Sequence, residues 1–231
     1  MLTVRKSSPP MQHGKAMSAN EEAVAMYVHD AYTGAAADLS LSGELYLHGG
    51  VDALVGHFID QLRETRGWRA FVASLVMTTG HAARRSLPGG RITKASVAVA
   101  GLFDLLDEKA IEYSGVHSAE LIKYITDQAK FNAQGFINAS LNGVYTVNQL
   151  ERQLRNIITL TPRQVTSIGR AVEAYGADLG KEGTYTQQEI RDRMDEFHQK
   201  LSLQKLKQRT RAISRTELST ANNAGHLIGV A

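Results

Sequence analysis

Apolar residues recur at three- and four-residue intervals along most of this chain, the spacing of helices that each bury one face. The first such stretch, Glu21 to about Ala37, is rich in alanine and runs into a Gly/Ser-punctuated segment that ends at Gly49-Gly50. From Val51, the residues Leu54, Val55, Phe58, Ile59 and Leu62 form a stripe, which resumes after Gly67 with Trp68, Phe71, Val72, Leu75 and Val76. These are predicted core positions, and the single tryptophan belongs to the stripe as core. Pro88-Gly89-Gly90 is the strongest breaker, read as a loop or a boundary between helical regions 21–87 and 91–231.

Beyond it, Val97, Ala100, Leu102, Phe103, Leu105 and Leu106 predict a helix from Ser96 to about Glu112. Ser118 is read as opening the next, with Leu121, Ile122, Ile125 and Ala129 on its apolar face. Thr146, three residues before Gln149, has capping-box spacing ahead of Leu150, Leu154 and Ile157. Thr161-Pro162 starts a further helix with proline at its first position and Val165, Ile168 and Val172 on one side. Thr186 and Glu189 repeat the capping spacing before Ile190, Met194, Phe197 and Leu201. No strand-like alternation of useful length and no fixed-period repeat interrupts this, so the predicted fold is all-α, multi-helix and elongated.

Residues 1–20 lack apolar periodicity, contain Ser7-Ser8-Pro9-Pro10, and are expected to form a flexible basic arm. Arg5, Lys6 and Lys15, with no acid among them, account for the formal net charge of +3. A second basic run comprises Lys200, Lys205, Lys207, Arg209, Arg211 and Arg215, with no acid until Glu217. Such a run either meets phosphates or an acidic protein surface, or is a solvated helix face. No uninterrupted apolar run reaches the roughly eighteen residues of a membrane span, and the N-terminal stretch lacks a signal peptide's apolar core. Absence of cysteine excludes disulfides, thiolate metal sites and a cysteine nucleophile.

Eight histidines are scattered with no H-E-x-x-H and no pair one helical turn apart, so neither metal nor cofactor is expected. His81, Arg84 and Arg85 suit the C-terminal end of a helix dipole. Gly89-Gly90-Arg91 lacks the Lys-Ser/Thr of a phosphate loop. Asn132, Gln134, Asn138 and Asn142 form a polar band expected to be solvated, with bonding between helices or subunits as the alternative.

On a helical wheel at about 100° per residue, Leu206, Ile213, Glu217, Thr220 and Ala224 share a sector about 60° wide. Lys207, Arg211, Arg215 and Asn222 gather elsewhere. Glu217 therefore lies among apolar neighbours and needs a cationic or hydrogen-bonding partner, because an unpaired buried carboxylate is costly.

The run from Arg209 through Arg215-Thr216-Glu217 to Asn222 and Gly225 resembles the arginine-threonine-glutamate helix of phage head morphogenesis proteins, the phage Mu F-like minor head group. Leu160-Thr161-Pro162 resembles that group's usual helix start, and the likeness covers roughly 118–229. It implies a virion protein inside the head near the portal vertex, made in the host cytoplasm and present in several copies. The implied role is assistance in head assembly, genome packaging or genome ejection, not catalysis and not membrane insertion. Arg215, Thr216, Glu217, Asn222 and Gly225 would be structural motif residues. Lys200, Lys205, Lys207, Arg209 and Arg211, with Arg5, Lys6 and Lys15, would contact the portal, other head proteins or packaged double-stranded DNA without reading its sequence. Members of the group commonly continue into a β-containing segment, whereas this sequence ends at Ala231, so it is either a short form or part of a longer chain. Two alternatives stand beside this reading. A DNA-binding regulator calls for a compact recognition helix, where Ile190 to Arg215 reads as one long helix. A nucleotide-transferase-like enzyme fragment would have only Arg215 and Glu217 to offer.

Overall fold

The computed structural model describes residues 18–37, 39, 43–86, 97–141 and 147–230. Among them are α1 (Ala19–Ala37), α2 (Gly43–Glu64), α3 (Arg66–Ser86), α4 (Val97–Leu141), α5 (Val147–Ile157), α6 (Pro162–Glu182) and α7 (Gln187–Val230), with no strand. The all-α, multi-helix fold expected from the apolar spacing is the fold observed. The arm residues Arg5, Lys6 and Lys15, the Pro88-Gly89-Gly90 breaker, Thr146 and Asn142 lie outside the described residues.

The predicted stripes supply the core. Phe58 and Leu62 of α2, Phe71 and Leu75 of α3, Ile125 and Ala129 of α4, and Leu154 and Ile157 of α5 are all buried in one cluster. Trp68 belongs to the same cluster and tilts against Phe71 at a centroid separation of 5.2 Å. Leu206 and Leu218 bring α7 into it, so residues on both sides of 87–96 share one interior. Gly50 explains why the α2 stripe starts at Val51. Its φ of 61° and ψ of −155° break the helix there, a conformation that costs a side-chain-free residue little.

The region from Ser96 to Ala129, expected as two helices, is one. α4 runs 45 residues without interruption, and the Ser118 hydroxyl donates to the Gly115 carbonyl instead of capping a new start. A lone glycine weakens a helix interior by only about 1 kcal/mol. Across it, the rings of Tyr113 and His117 stack 5.5 Å apart, one turn from each other.

Caps fix the later helices. Thr161 accepts from the Gln164 amide at 3.2 Å while its own amide donates to Gln164 Oε1 at 3.0 Å, with Pro162 opening α6. Gln164 Nε2 also donates to the Lys205 carbonyl, tying that start to α7. Thr186 and Glu189 make the same reciprocal bonds at the start of α7, and these hydrogen bonds hold the Glu189 carboxyl below its usual range. Ser18 and Glu21 repeat the pattern at α1, unnoticed in the sequence. Asn132, expected in a solvated band, is buried instead and donates to the carbonyls of Ile157, which also accepts from the Leu160 amide, and Leu160, tying α4 to the end of α5. Gln134 and Asn138 are exposed.

Near the base of the α6–α7 pair, His198 is 8% exposed. Burial pushes its imidazole below the ordinary histidine value, with Asp195 opposing. The unfolded chain therefore binds a proton that the folded chain resists. Stability is full above the unfolded pKa of about 6.5 and falls as pH drops below it. Thermal melts from pH 7.5 to 5 should show a Tm decline that is shallower in His198→Gln. Equal slopes in the two proteins would remove His198 as the cause.

Candidate functional site

α7 carries the arginine-threonine-glutamate segment, and its surroundings divide those residues between interior and surface. The C-terminal part of α7 lies along α3, where Gly225 meets Thr79, Ala82 and Ala83, and Gly229 meets Ala83 and Ser86. Residue numbers rise together on both helices, so the two run parallel. Toward α4 the order is reversed: Glu217 reaches His117 and Arg209 reaches Gln128. On the third side, the Ser214 hydroxyl donates to the Glu21 carbonyl of α1 at 2.6 Å.

The wheel sets Glu217 on the apolar side of α7, and the residue is 8% exposed, its carboxylate paired with His117 Nε2 by a hydrogen bond. Arg209, expected on the contact surface, is 6% exposed. That expectation is corrected: its guanidinium donates to the Thr159 carbonyl and, at 2.5 Å, to Gln128 Oε1. It also lies 5.5 Å from the centroid of the buried Tyr32 ring. Burial pushes the Tyr32 hydroxyl above its ordinary range, partly offset by the neighbouring Arg209 charge. Five donors in a planar fork suit arginine to such a place, because they satisfy separate acceptors from one rigid head.

The remaining candidates face outward to different degrees. Lys207, Arg211, Arg215 and Thr216 are exposed, Lys205 and Asn222 are partly buried, and Gly225 is buried against α3. Lys200 is occupied by Glu196 at 2.7 Å, one turn back on the same helix. Asn222 accepts from Arg85 at 3.2 Å. Arg215 and Glu217 lie about 160° apart around the helix at 100° per residue, one exposed and one buried, so they do not converge on one site.

The polar interior is thus a set of helix-to-helix ties, and the exposed side of α7 is a row of cations held by a rigid support. Three partners of that arrangement carried no signal in the sequence: His117, Gln128 and the Thr159 carbonyl. Each becomes visible only when α4 and the α5–α6 connection are folded against α7. Among the described residues no group of histidines and carboxylates is placed to hold a metal, and no helix is long and apolar enough to cross a membrane. No protein-family model, curated protein or solved structure matches the chain.

Proposed function

We propose that this chain is a minor structural protein of a tailed-phage head, seated with the portal and the packaged genome and acting in assembly, packaging or ejection. The observation that carries the reading is the division of α7. Arg209, Thr210, Ser214 and Glu217 are buried while Lys207, Arg211 and Arg215 are exposed along the same helix. A helix locked on three sides and basic on its fourth positions an acidic neighbour without chemistry on it, which suits a connector of the kind the segment resembles. Basic residues of the N-terminal arm would add to the same contact.

The test is the particle. Purified virions of the phage encoding this chain should contain it at a copy number tied to the symmetry of the portal. A triple variant Lys207→Glu, Arg211→Glu, Arg215→Glu should fold yet be depleted from particles at least tenfold. Particles that lack the chain and still assemble, package and infect normally would defeat the proposal.

A further inference from the structure

We infer that the groove between α1 and the middle of α7 receives an acidic amphipathic helix of a partner protein, an inference that rests on the structural reading above and names the partner's chemistry. The groove has a volume of about 420 Å³ and runs between Met26 and His29 on one side and Lys207 and Arg211 on the other. Met26 is 56% exposed, the largest apolar side chain on this stretch of α1 to face solvent. Beside it Ala25 is buried, and the buried Thr210 has its hydroxyl already engaged by the Lys207 carbonyl. The floor therefore presents methyl and thioether surface with no hydrogen bond left to satisfy.

The rim differs in kind. Lys207 and Arg211 stand one turn apart, about 6 Å along α7, and neither side chain has a carboxylate partner among the described residues. Two carboxylates one turn apart on an incoming helix match that spacing, and apolar residues on the adjoining face of the same helix reach Met26. This is helix-in-groove recognition with charge complementarity along one edge. Methionine suits such a floor because its unbranched thioether adapts to the side chain laid on it. A nucleic-acid strand fits less well. Its phosphates would cover Met26 with nothing apolar and would face the Glu22 carboxylate on the α1 rim, whereas an amphipathic helix can turn its apolar face to α1 and keep its carboxylates on the Lys207 and Arg211 side.

The full chain labelled with ¹³C at its methionine methyls provides the readout. The probe is a synthetic helical peptide repeating Glu-Leu-Ala-Ala, which sets glutamates one turn apart beside leucines. Titration should shift the Met26 methyl and leave Met77, exposed on α3, in place. Replacing the glutamates by glutamines, or using the Lys207→Glu, Arg211→Glu double variant, should weaken binding at least tenfold. Both substituted side chains are exposed, and an unchanged melting curve confirms that the variant folds. The inference is overturned if the peptide leaves Met26 unmoved, if the glutamine peptide binds equally well, or if the folded double variant retains affinity. It is also overturned if a 20-base-pair duplex displaces the peptide and moves Met26 as far. None of these outcomes decides whether the chain is present in particles, which is the separate test of the structural role.

Discussion

Arg209→Ala is expected to destabilise the fold by about 3–5 kcal/mol, the sum of a buried carbonyl left without a donor, a charge-assisted bond lost at Gln128 and the void where the side chain lay. The substitution strands the Thr159 carbonyl and Gln128 Oε1, both of which Arg209 now satisfies. A buried acceptor left without a donor costs about 1–3 kcal/mol. The void left beside Tyr32 adds to this, since the arginine stem and head fill that space. Arg209→Lys should recover only part of the loss, because a single ammonium on a flexible stem cannot serve both acceptors with the arginine's planar geometry. Glu217→Ala should be milder, about 1–3 kcal/mol, because the His117 side chain is 21% exposed and its ring nitrogen can turn to water once the carboxylate is gone. Chemical denaturation of the three variants gives the ordering directly. An Arg209→Ala protein within 1 kcal/mol of wild type would mean that the guanidinium is not bound in the interior.

The contrast between Arg209 and Glu217 shows where sequence reading reached and where it stopped. Glu217 fell in a sector shared with Leu206 and Ile213, so its burial could be inferred from the wheel. Arg209 sits among Lys205, Lys207 and Arg211, and a basic neighbourhood reads as solvent. What buries it is contact with α4 and the α5–α6 connection, neither of which is near it in sequence. The sector itself was too narrow. Thr210, Ser214, Leu218, Ala221 and Gly225 are buried, whereas Ile213, Thr220 and Ala224 are only partly so. A 44-residue helix that meets α6, α4, α1 and α3 in different places has no single inward face. Where the packed residues are small, hydrophobicity does not mark the face at all. Stripes of large apolar residues were legible in α2 and α3 because each holds one face to the core, and the proline and threonine at the start of α6 were legible because a cap is local chemistry. The groove on α1 escaped notice for the opposite reason, since one exposed methionine in an alanine-rich helix carries no signal until α7 lies beside it.

The parallel contact of α3 with α7 leads to the prediction with the largest effect: Gly225→Leu should prevent native folding, a loss above about 4 kcal/mol. A β-carbon at 225 would fall onto the Thr79 carbonyl oxygen, 2.6 Å from the Ala82 β-carbon and 3.0 Å from the Ala83 amide. Two of these three obstacles are backbone, so no rotamer change relieves them and the helices must separate. Separation would also open the next contact, where Gly229 rests on Ala83 and Ser86. Gly225→Ala should already destabilise by about 2 kcal/mol: overpacking of about 3 kcal/mol, less the roughly 1 kcal/mol that alanine gains over glycine in a helix. Gly169 is the control, because it is exposed in α6 and a β-carbon there meets nothing within 4 Å. Gly169→Ala should therefore stabilise the protein by about 0.5–1 kcal/mol from helix propensity alone. If Gly225→Ala and Gly169→Ala shift Tm in the same upward direction, α3 and α7 do not approach closely, and the placement of the arginine-threonine-glutamate helix in the core must be redrawn.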